Sequence, residues 1–343
     1  MKRQTTKFIR IAIMISLLVG LVFGASSVQG ARVTKVGMVL LPEDNPSNIL
    51  LNNISIKGFN DALESYTLTG TLYPSTTYEF DTSFRQCAID GNDLCIGLGF
   101  QMMEALYSVA NEFPSTKFAL NDIYFSDIAI PPNTRIIVYD VRQAGYLAGV
   151  LSAYMTTTGY LGVIGGMDIP SVNAFIEGYR NAAKCTNPQL QIEVVYAGDF
   201  ANPDLGTAIA QQLMGNGADI IYPVAGSTGN GALTYATQNG AWAIGVDFDE
   251  YYSVFEGGTV TGADRILTST VKNFDRGIYL AISDLERGRF TGGYMYYGLK
   301  EGAVGLAPYH ETSTLIPNLV KRAVSKAELD IIKGRINTYN PCW

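Results

Sequence analysis

The sequence predicts an α/β protein built on two doubly wound parallel sheets. Short apolar runs alternate with helical patterns along the chain. Eight such runs suit two sheets better than one. No low-complexity linker and no short repeat divides the halves, so several short crossings should join them rather than one tether.

Taken in order, the strand candidates are Val36–Leu41, Asp93–Gly97, Lys117–Asn121, Arg135–Tyr139, Tyr160–Ile164, Gln191–Ala197, Asp219–Val224 and Ala241–Val246. Residues 144–156 place Tyr146, Leu147, Val150, Leu151 and Tyr154 on one helical face. Residues 172–184 do the same with Val172, Phe175, Ile176 and Tyr179. Open parallel sheets bind ligands beyond the carboxyl ends of their strands. The loops to watch are therefore 41–53, 97–101, 121–125, 165–173, 198–203, 225–231 and 247–251. They are rich in Gly, Asn, Asp, Ser and aromatics, which suits a small polar ligand.

Targeting and charge come next. Residues 2–10 are basic, residues 11–23 are apolar apart from Ser16, and a small polar stretch follows to Ala31. This is the layout of a secretory signal over residues 1–30, and the apolar run is short for a membrane span. No Cys follows it to carry a lipid. The expectation is an exported protein, periplasmic or secreted, that meets a membrane only through a partner. Lys2, Arg3, Lys7 and Arg10 fall in the signal with no acid, so its removal takes the net charge from −7 to −11. An acidic chain is a poor partner for nucleic acid. The single histidine, His310, excludes a multi-His metal centre. No metal and no cofactor is expected.

Cys87, Cys95, Cys185 and Cys342 allow three pairings, of which Cys87–Cys95 closes the shortest loop. Four idle thiols are the other reading. Asn53-Ile54-Ser55 is a glycosylation sequon, relevant only in a eukaryotic secretory pathway.

Several constellations invite chemistry. Gly226-Ser227-Thr228-Gly229-Asn230-Gly231 follows a strand and precedes a helix, but it fits neither a dinucleotide fingerprint nor a P-loop. It reads as a tight turn where a ligand approaches the backbone. Ser269-x-x-Lys272 has the spacing of an acylation pair on one helical face, without the companion motifs that pair requires. Asp247 and Asp249 can act as acid and base, or one of them can accept from a diol while the other is solvated. Glu43 and Asp44 read as surface acids, and His310 as a surface or satisfied structural residue. No catalytic residue is assigned.

The blocks KVGMVL (35–40), DLCIGLGFQMMEAL (93–106), FPSTKFALND (113–122), the segment 146–179 with GGMDIP, ADIIYPVAGSTGNG (218–231), AIGVDFD (243–249), ILTSTVKN (266–273) and YGLKEGAVGLAP (297–308) carry a resemblance. In order, across nearly all of 33–336, the chain resembles the basic membrane protein family of ABC-transporter substrate-binding proteins, of the purine nucleoside receptor type. That resemblance implies a type I periplasmic-binding-protein fold: two Rossmann-like lobes, three crossings and an interlobe cleft that closes like a hinge. Lobe one is expected over 32–142 and 262–290, and lobe two over 143–261 and 291–343. The implied ligand is a nucleoside, purine foremost, or another ring-bearing molecule such as riboflavin. An ABC permease is the implied partner, and the protein is expected to act as a monomer and not as an enzyme. The alternative role is a secreted or surface ligand-sensing module of the same fold.

By the same resemblance, Asp247 and Lys272 match the ribose grip, Phe200 a stacking position, and Asn52 an Asn of the base-binding segment. Gly99, Phe100, Asp168, Gly226 and Ser227 are expected nearby. The base-binding segment departs from the family pattern: Leu51 stands where a stacking Phe is usual, and Asn48 or Ser47 where an Asp reads the base. Tyr66, Tyr73 and Tyr78 are candidate replacements for the missing ring.

Overall fold

The computed structural model describes residues 32–124 and 129–340. The expected signal and Cys342 lie outside the described residues. In chain order the elements are β1 (Thr34–Val39), α1 (Pro46–Ser65), β2 (Leu68–Tyr73), α2 (Asp81–Ile89), β3 (Leu94–Leu98), α3 (Met103–Glu112), β4 (Lys117–Asn121), β5 (Thr134–Tyr139), α4 (Val141–Met155) and β6 (Tyr160–Gly165). There follow α5 (Pro170–Thr186), β7 (Gln191–Tyr196), α6 (Pro203–Gly215), β8 (Ile220–Val224), α7 (Gly226–Gln238) and β9 (Trp242–Asp247). The chain ends with α8 (Glu250–Ser253), β10 (Ile266–Lys272), α9 (Phe274–Glu286), β11 (Gly293–Tyr297), β12 (Val304–Leu306) and α10 (Asn318–Ile332).

Two six-stranded sheets result, ordered β11-β5-β4-β3-β1-β2 and β12-β10-β9-β8-β6-β7. Every pairing is parallel except β10 with β12. The inner strands β3, β5 and β8 are buried along their whole length, as helices on both faces require. The edge strands β2 and β7 contain no fully buried residue. Helix starts follow local chemistry. Asn45 caps α1 by accepting from the Asn48 N–H, with Pro46 in the first turn, and Asn202 caps α6 in the same way ahead of Pro203.

Three segments pass between the sheets: at Asp140, at Asn273 and over 298–303. Backbone hydrogen bonds stitch them together. Asp140 N–H donates to Tyr297 O at 2.9 Å and Asn273 N–H to Ala303 O at 2.8 Å. Leu299 N–H donates to Gln143 Oε1 at 2.8 Å. The expected lobe boundaries are corrected at two strands. Ile266–Lys272 belongs to the second sheet, where it pairs with β9, and Gly293–Tyr297 belongs to the first, where it pairs with β5. The reason is that the chain crosses at Asn273, after β10 and not before it, and then returns only after β11.

Cys87 and Cys95 form a disulfide joining α2 to β3, with both residues fully buried. Cys185 is also disulfide-bonded. The idle-thiol reading is therefore set aside for these three.

Helices α6 and α7 pack closely because Gly206 and Gly231 sit at their contact. A methyl group at 206 would collide with the Thr228 carbonyl oxygen, which is fixed backbone. Gly206→Ala is expected to cost about 2–3 kcal/mol by overpacking. Gly215→Ala, at the end of the same helix with nothing near its Cβ position, should be neutral or slightly stabilising. Urea unfolding of the two variants checks this, and equal midpoints would contradict it.

Candidate functional site

Lys272 ends β10 at the point where the chain leaves the second sheet. Its ammonium lies 3.0 Å from Asp122 Oδ2 and 3.1 Å from Asp247 Oδ1. Asp122 follows β4 in the first sheet, and Asp247 ends β9 in the second. The ionic cluster therefore spans the carboxyl ends of both sheets. The Lys272 side chain is 11% exposed, against 30% and 35% for its partners. Its ammonium also stands 5.9 Å and 5.6 Å from the ring centroids of Phe175 and Phe274.

Both acids hold left-handed backbone, with φ of 66° at Asp122 and 65° at Asp247. Asp tolerates this region better than most residues, but non-Gly occupancy is uncommon and clusters at functional sites. Electrostatics support the cluster. Burial alone would lower the Lys272 pKa, yet the two carboxylates more than offset it and hold the group above its usual value. Burial pushes Asp122 up, and the Asp247 charge adds to that, against the pull of Lys272.

Behind Asp247 sits Glu250, 6% exposed. Its Oε2 accepts from Val246 N–H at 3.3 Å and its N–H donates to Ser269 Oγ at 3.1 Å. Burial pushes its carboxyl well above the usual range, with the charges of Asp247 and Asp249 contributing. A raised folded-state pKa means that the native chain holds its proton longer than the unfolded one. Stability is then lost as pH rises from about 4.3 through the folded value. Glu250→Gln removes that titration and should flatten the pH dependence of unfolding above about pH 4.3. Denaturant unfolding across a pH series tests it, and identical slopes in both proteins would count against it.

A cavity of about 140 Å³ adjoins the cluster. Pro46, Ser47 and Leu50 of α1 line one side. Gly226, Ser227 and Asn230 of α7, together with Val246–Phe248, Glu250 and Ser253, line the other. A larger hollow of about 630 Å³ lies between α4, β12 and α10 and holds none of the three ionic residues.

The structure thus brings together Asp247, Lys272, Gly226 and Ser227 from the sequence reading. Ser47, the other candidate for the base-reading position, lines the same cavity, and the structure adds Asp122, Glu250 and Asn230. Asp122 had a visible signal, since its loop was among the strand ends marked as binding loops. Two expected contacts are corrected. Asn52 is fully buried, and its side-chain amide is spent on Leu41, accepting from the N–H and donating to the carbonyl at 3.0 Å each. Asn48, 8% exposed, donates to Pro42 O, Asp44 Oδ1 and the Tyr78 hydroxyl at 2.9–3.1 Å. Helical phase explains both, because positions 48 and 52 share the face turned to the loop after β1, while 46, 47 and 50 meet the cleft.

Gly99 N–H donates to Asn121 O at 2.9 Å, which sets Phe100 beside the strand end that carries Asp122. Phe100 is 76% exposed. The Phe200 ring covers Gly166, and its carbonyl accepts from Thr228 N–H in the first turn of α7. Asp168, in the loop after β6, accepts from Asn173 Nδ2 at 2.7 Å. Among the tyrosines, Tyr78 bonds Asp44 and Asn48, Tyr73 bonds Asp90, and Tyr66 pairs with Ser283.

Ser269 and Lys272 are not on a helix. They lie three apart on strand β10 and so project to opposite faces, which removes the acylation pair. Gly226–Gly231 is itself the start of α7. His310 Nε2 is 2.8 Å from Asp249 Oδ2, and its ring stacks on Tyr251 at 4.0 Å, so Asp249 is paired and not simply solvated.

The family profile described as ABC transporter substrate-binding protein PnrA-like, named Bmp, matches residues 54–340. The chain belongs to the Bmp family. It is 30% identical over 308 residues to a Lactococcus lactis protein described as ABC transporter nucleoside-binding protein BmpA, covering 83% of this chain and 86% of that one. It is 28% identical over 321 residues to basic membrane protein A1 of Borrelia garinii, covering 92% of each. Among solved structures, an ABC transporter solute-binding protein from Aeropyrum pernix superposes with a TM-score of 0.66 at 24% identity, covering 89% of this chain and 93% of that one. A transcriptional activator of the comK gene from Bacillus halodurans superposes at 0.72 with 20% identity, covering 88% and 99%. These two likenesses show the fold alone.

This Bmp-family chain is thus an ABC transporter substrate-binding protein of type I fold. Its family consists of binding proteins, not enzymes, and implies a small-molecule ligand and a permease partner. Among the described residues no helix is long and apolar enough to cross a membrane.

Proposed function

We propose that this protein captures a nucleoside between the carboxyl ends of its two sheets and delivers it to the transporter's permease. The observation that carries the reading is Lys272 held between Asp122 and Asp247 across the cleft. One cation with two carboxylates suits a neutral vicinal diol: the carboxylates accept from the hydroxyls, and the ammonium donates to them. Phe248 lines the cleft after β9, Phe100 and Phe200 follow β3 and β7, and an exposed ring such as Phe100 suits stacking on a base. Gly226 and Ser227 bring backbone to the same space. The nucleoside-binding description of the Lactococcus relative agrees with this reading.

Small-molecule sites commonly enclose about 300–1,000 Å³, so the 140 Å³ cleft must open to admit a nucleoside. The three stitched crossings at 140, 273 and 298–303 are the hinge for that motion.

The test is a thermal-shift screen of protein refolded from denaturant, with purine and pyrimidine nucleosides, free bases, ribose and riboflavin. A nucleoside at a hundredfold excess over its Kd should stabilise by about 2.7 kcal/mol. Ribose and free bases should do far less. Well-folded protein that responds to no nucleoside overturns the reading, and a response to riboflavin alone replaces the ligand.

A further inference from the structure

Helix α10 buries Val320, Val324, Ala327 and Ile331, whose spacing makes one inward face. Its opposite face is exposed and reads Leu319, Arg322, Lys326 and Leu329, continued by Lys333 at the helix end. Steps of three and four residues keep these side chains on one stripe. Leu319 is 63% exposed and Leu329 52%, with Leu315 just ahead of the helix at 55%. Packing against the core does not account for leucine at such positions. Charge also sets the stripe apart. Residues 315–335 hold five cations, Lys321, Arg322, Lys326, Lys333 and Arg335, against Glu328 and Asp330. Asp330 is buried and already paired with Lys326 and Arg335. The segment is thus net positive by three charges in a chain that is acidic as a whole. Acids elsewhere on the molecule oppose it little, because charges more than about 8 Å apart are largely screened at physiological ionic strength.

We propose that α10 rests on an anionic bilayer surface, its exposed leucines entering the headgroup layer while Arg322, Lys326 and Lys333 meet lipid phosphates. A basic helix with apolar residues interleaved on its exposed side suits the plane of a membrane interface. Charge complementarity selects the anionic surface, and the leucines select a bilayer over a purely ionic partner. The sequence suggested a protein that meets a membrane only through its permease; α10 gives it a contact of its own. A binding protein that serves a membrane-embedded permease gains from this, because its search for the permease is then confined to a surface. The inference does not depend on the nucleoside reading, since α10 lines no part of the 140 Å³ cleft.

The experiment is co-sedimentation with vesicles of equal parts phosphatidylglycerol and phosphatidylcholine, and with vesicles of phosphatidylcholine alone. The protein used lacks residues 1–30, whose own basic and apolar residues would bind lipid; residues 33–343 form one compact unit without them. Wild type should bind the anionic vesicles far better than the neutral ones and should be released as salt is raised. Arg322→Gln combined with Lys333→Gln should weaken binding about thirtyfold, the product of about fivefold for each charge. Leu319→Ser combined with Leu329→Ser should weaken it about tenfold. All four positions are exposed, so urea midpoints should match wild type and separate lost docking from lost folding. Wild type that ignores anionic vesicles overturns the proposal, as does binding that the charge variant leaves unchanged. Binding lost with the charges but indifferent to the leucines overturns the bilayer contact and leaves an ionic partner, such as an acidic protein, in its place.

Discussion

Lys272→Met is expected to lower the unfolding free energy by about 3 kcal/mol at neutral pH and to abolish stabilisation by nucleosides. The magnitude is the low end for breaking a buried ion pair, because Asp122 and Asp247 keep part of their surface in water. Removing the ammonium leaves two acids converging with no cation between them. Asp122, which burial already pushes up, would lose the opposing pull of Lys272 and bind its proton still more tightly folded than unfolded. The deficit should therefore shrink as pH falls towards the ordinary carboxylate range of about 4. The wild-type lysine behaves oppositely. Its folded pKa is raised, so its stabilising contribution is complete below the unfolded value of about 10.4 and is lost only as pH rises through the folded value. No titration of the wild-type lysine falls near neutrality. Adding Asp122→Asn to Lys272→Met should recover part of the loss, since the repulsion is shared. Urea unfolding of the three proteins at two pH values decides the matter. A loss under about 1 kcal/mol that ignores pH would place the cluster with surface ion pairs, which contribute little.

How far the chain could be read in advance follows from the physics of each element. The inner strands are apolar runs buried on both faces, so periodicity and composition locate them. β2 escapes because, as an exposed edge strand, Leu68–Tyr73 contains no fully buried residue and has little apolar signal. β10 escapes because a Thr-Ser-Thr run interrupts the apolar residues of Ile266–Lys272, and its Ser-x-x-Lys spacing also fits a helix. Missing β10 shifted the lobe boundaries as well. At the site, Asp247 and Lys272 were legible as residues of the right charge at strand ends. Asp122 was legible only as a position, since nothing local marks one loop aspartate above another until the fold sets it 3.0 Å from Lys272. Asn52 shows the converse. Its identity matched a binding segment, but the phase of α1 turns it onto Leu41.

Asp247→Asn should separate stability from binding, moving them in opposite directions. In the ligand-free protein Asp247 is a liability. It holds φ at 65°, it stands near Asp122 with only one ammonium between them, and its charge helps to push Glu250 up. Its Oδ1 is sealed from solvent beside the Lys272 ammonium, while the side chain as a whole is 35% exposed. Asn keeps the shape, tolerates left-handed backbone and removes one negative charge, leaving Lys272 and Asp122 as a balanced pair. Ligand-free stability should stay level or rise by about 1 kcal/mol. Binding should suffer. A carboxylate accepting from a diol contributes charge-assisted hydrogen bonds of about 1.5–3 kcal/mol each. Weakening them by about 2.7 kcal/mol in all lowers affinity about a hundredfold. Denaturant unfolding without ligand, paired with calorimetric titration of the nucleoside that wild type binds best, measures both quantities in one preparation. If stability and affinity fell together, Asp247 would be a structural partner of Lys272 and the diol grip would have to lie elsewhere. If stability held while affinity collapsed, the strained turn at the end of β9 would be maintained for its ligand, since the fold alone would be better served without the charge.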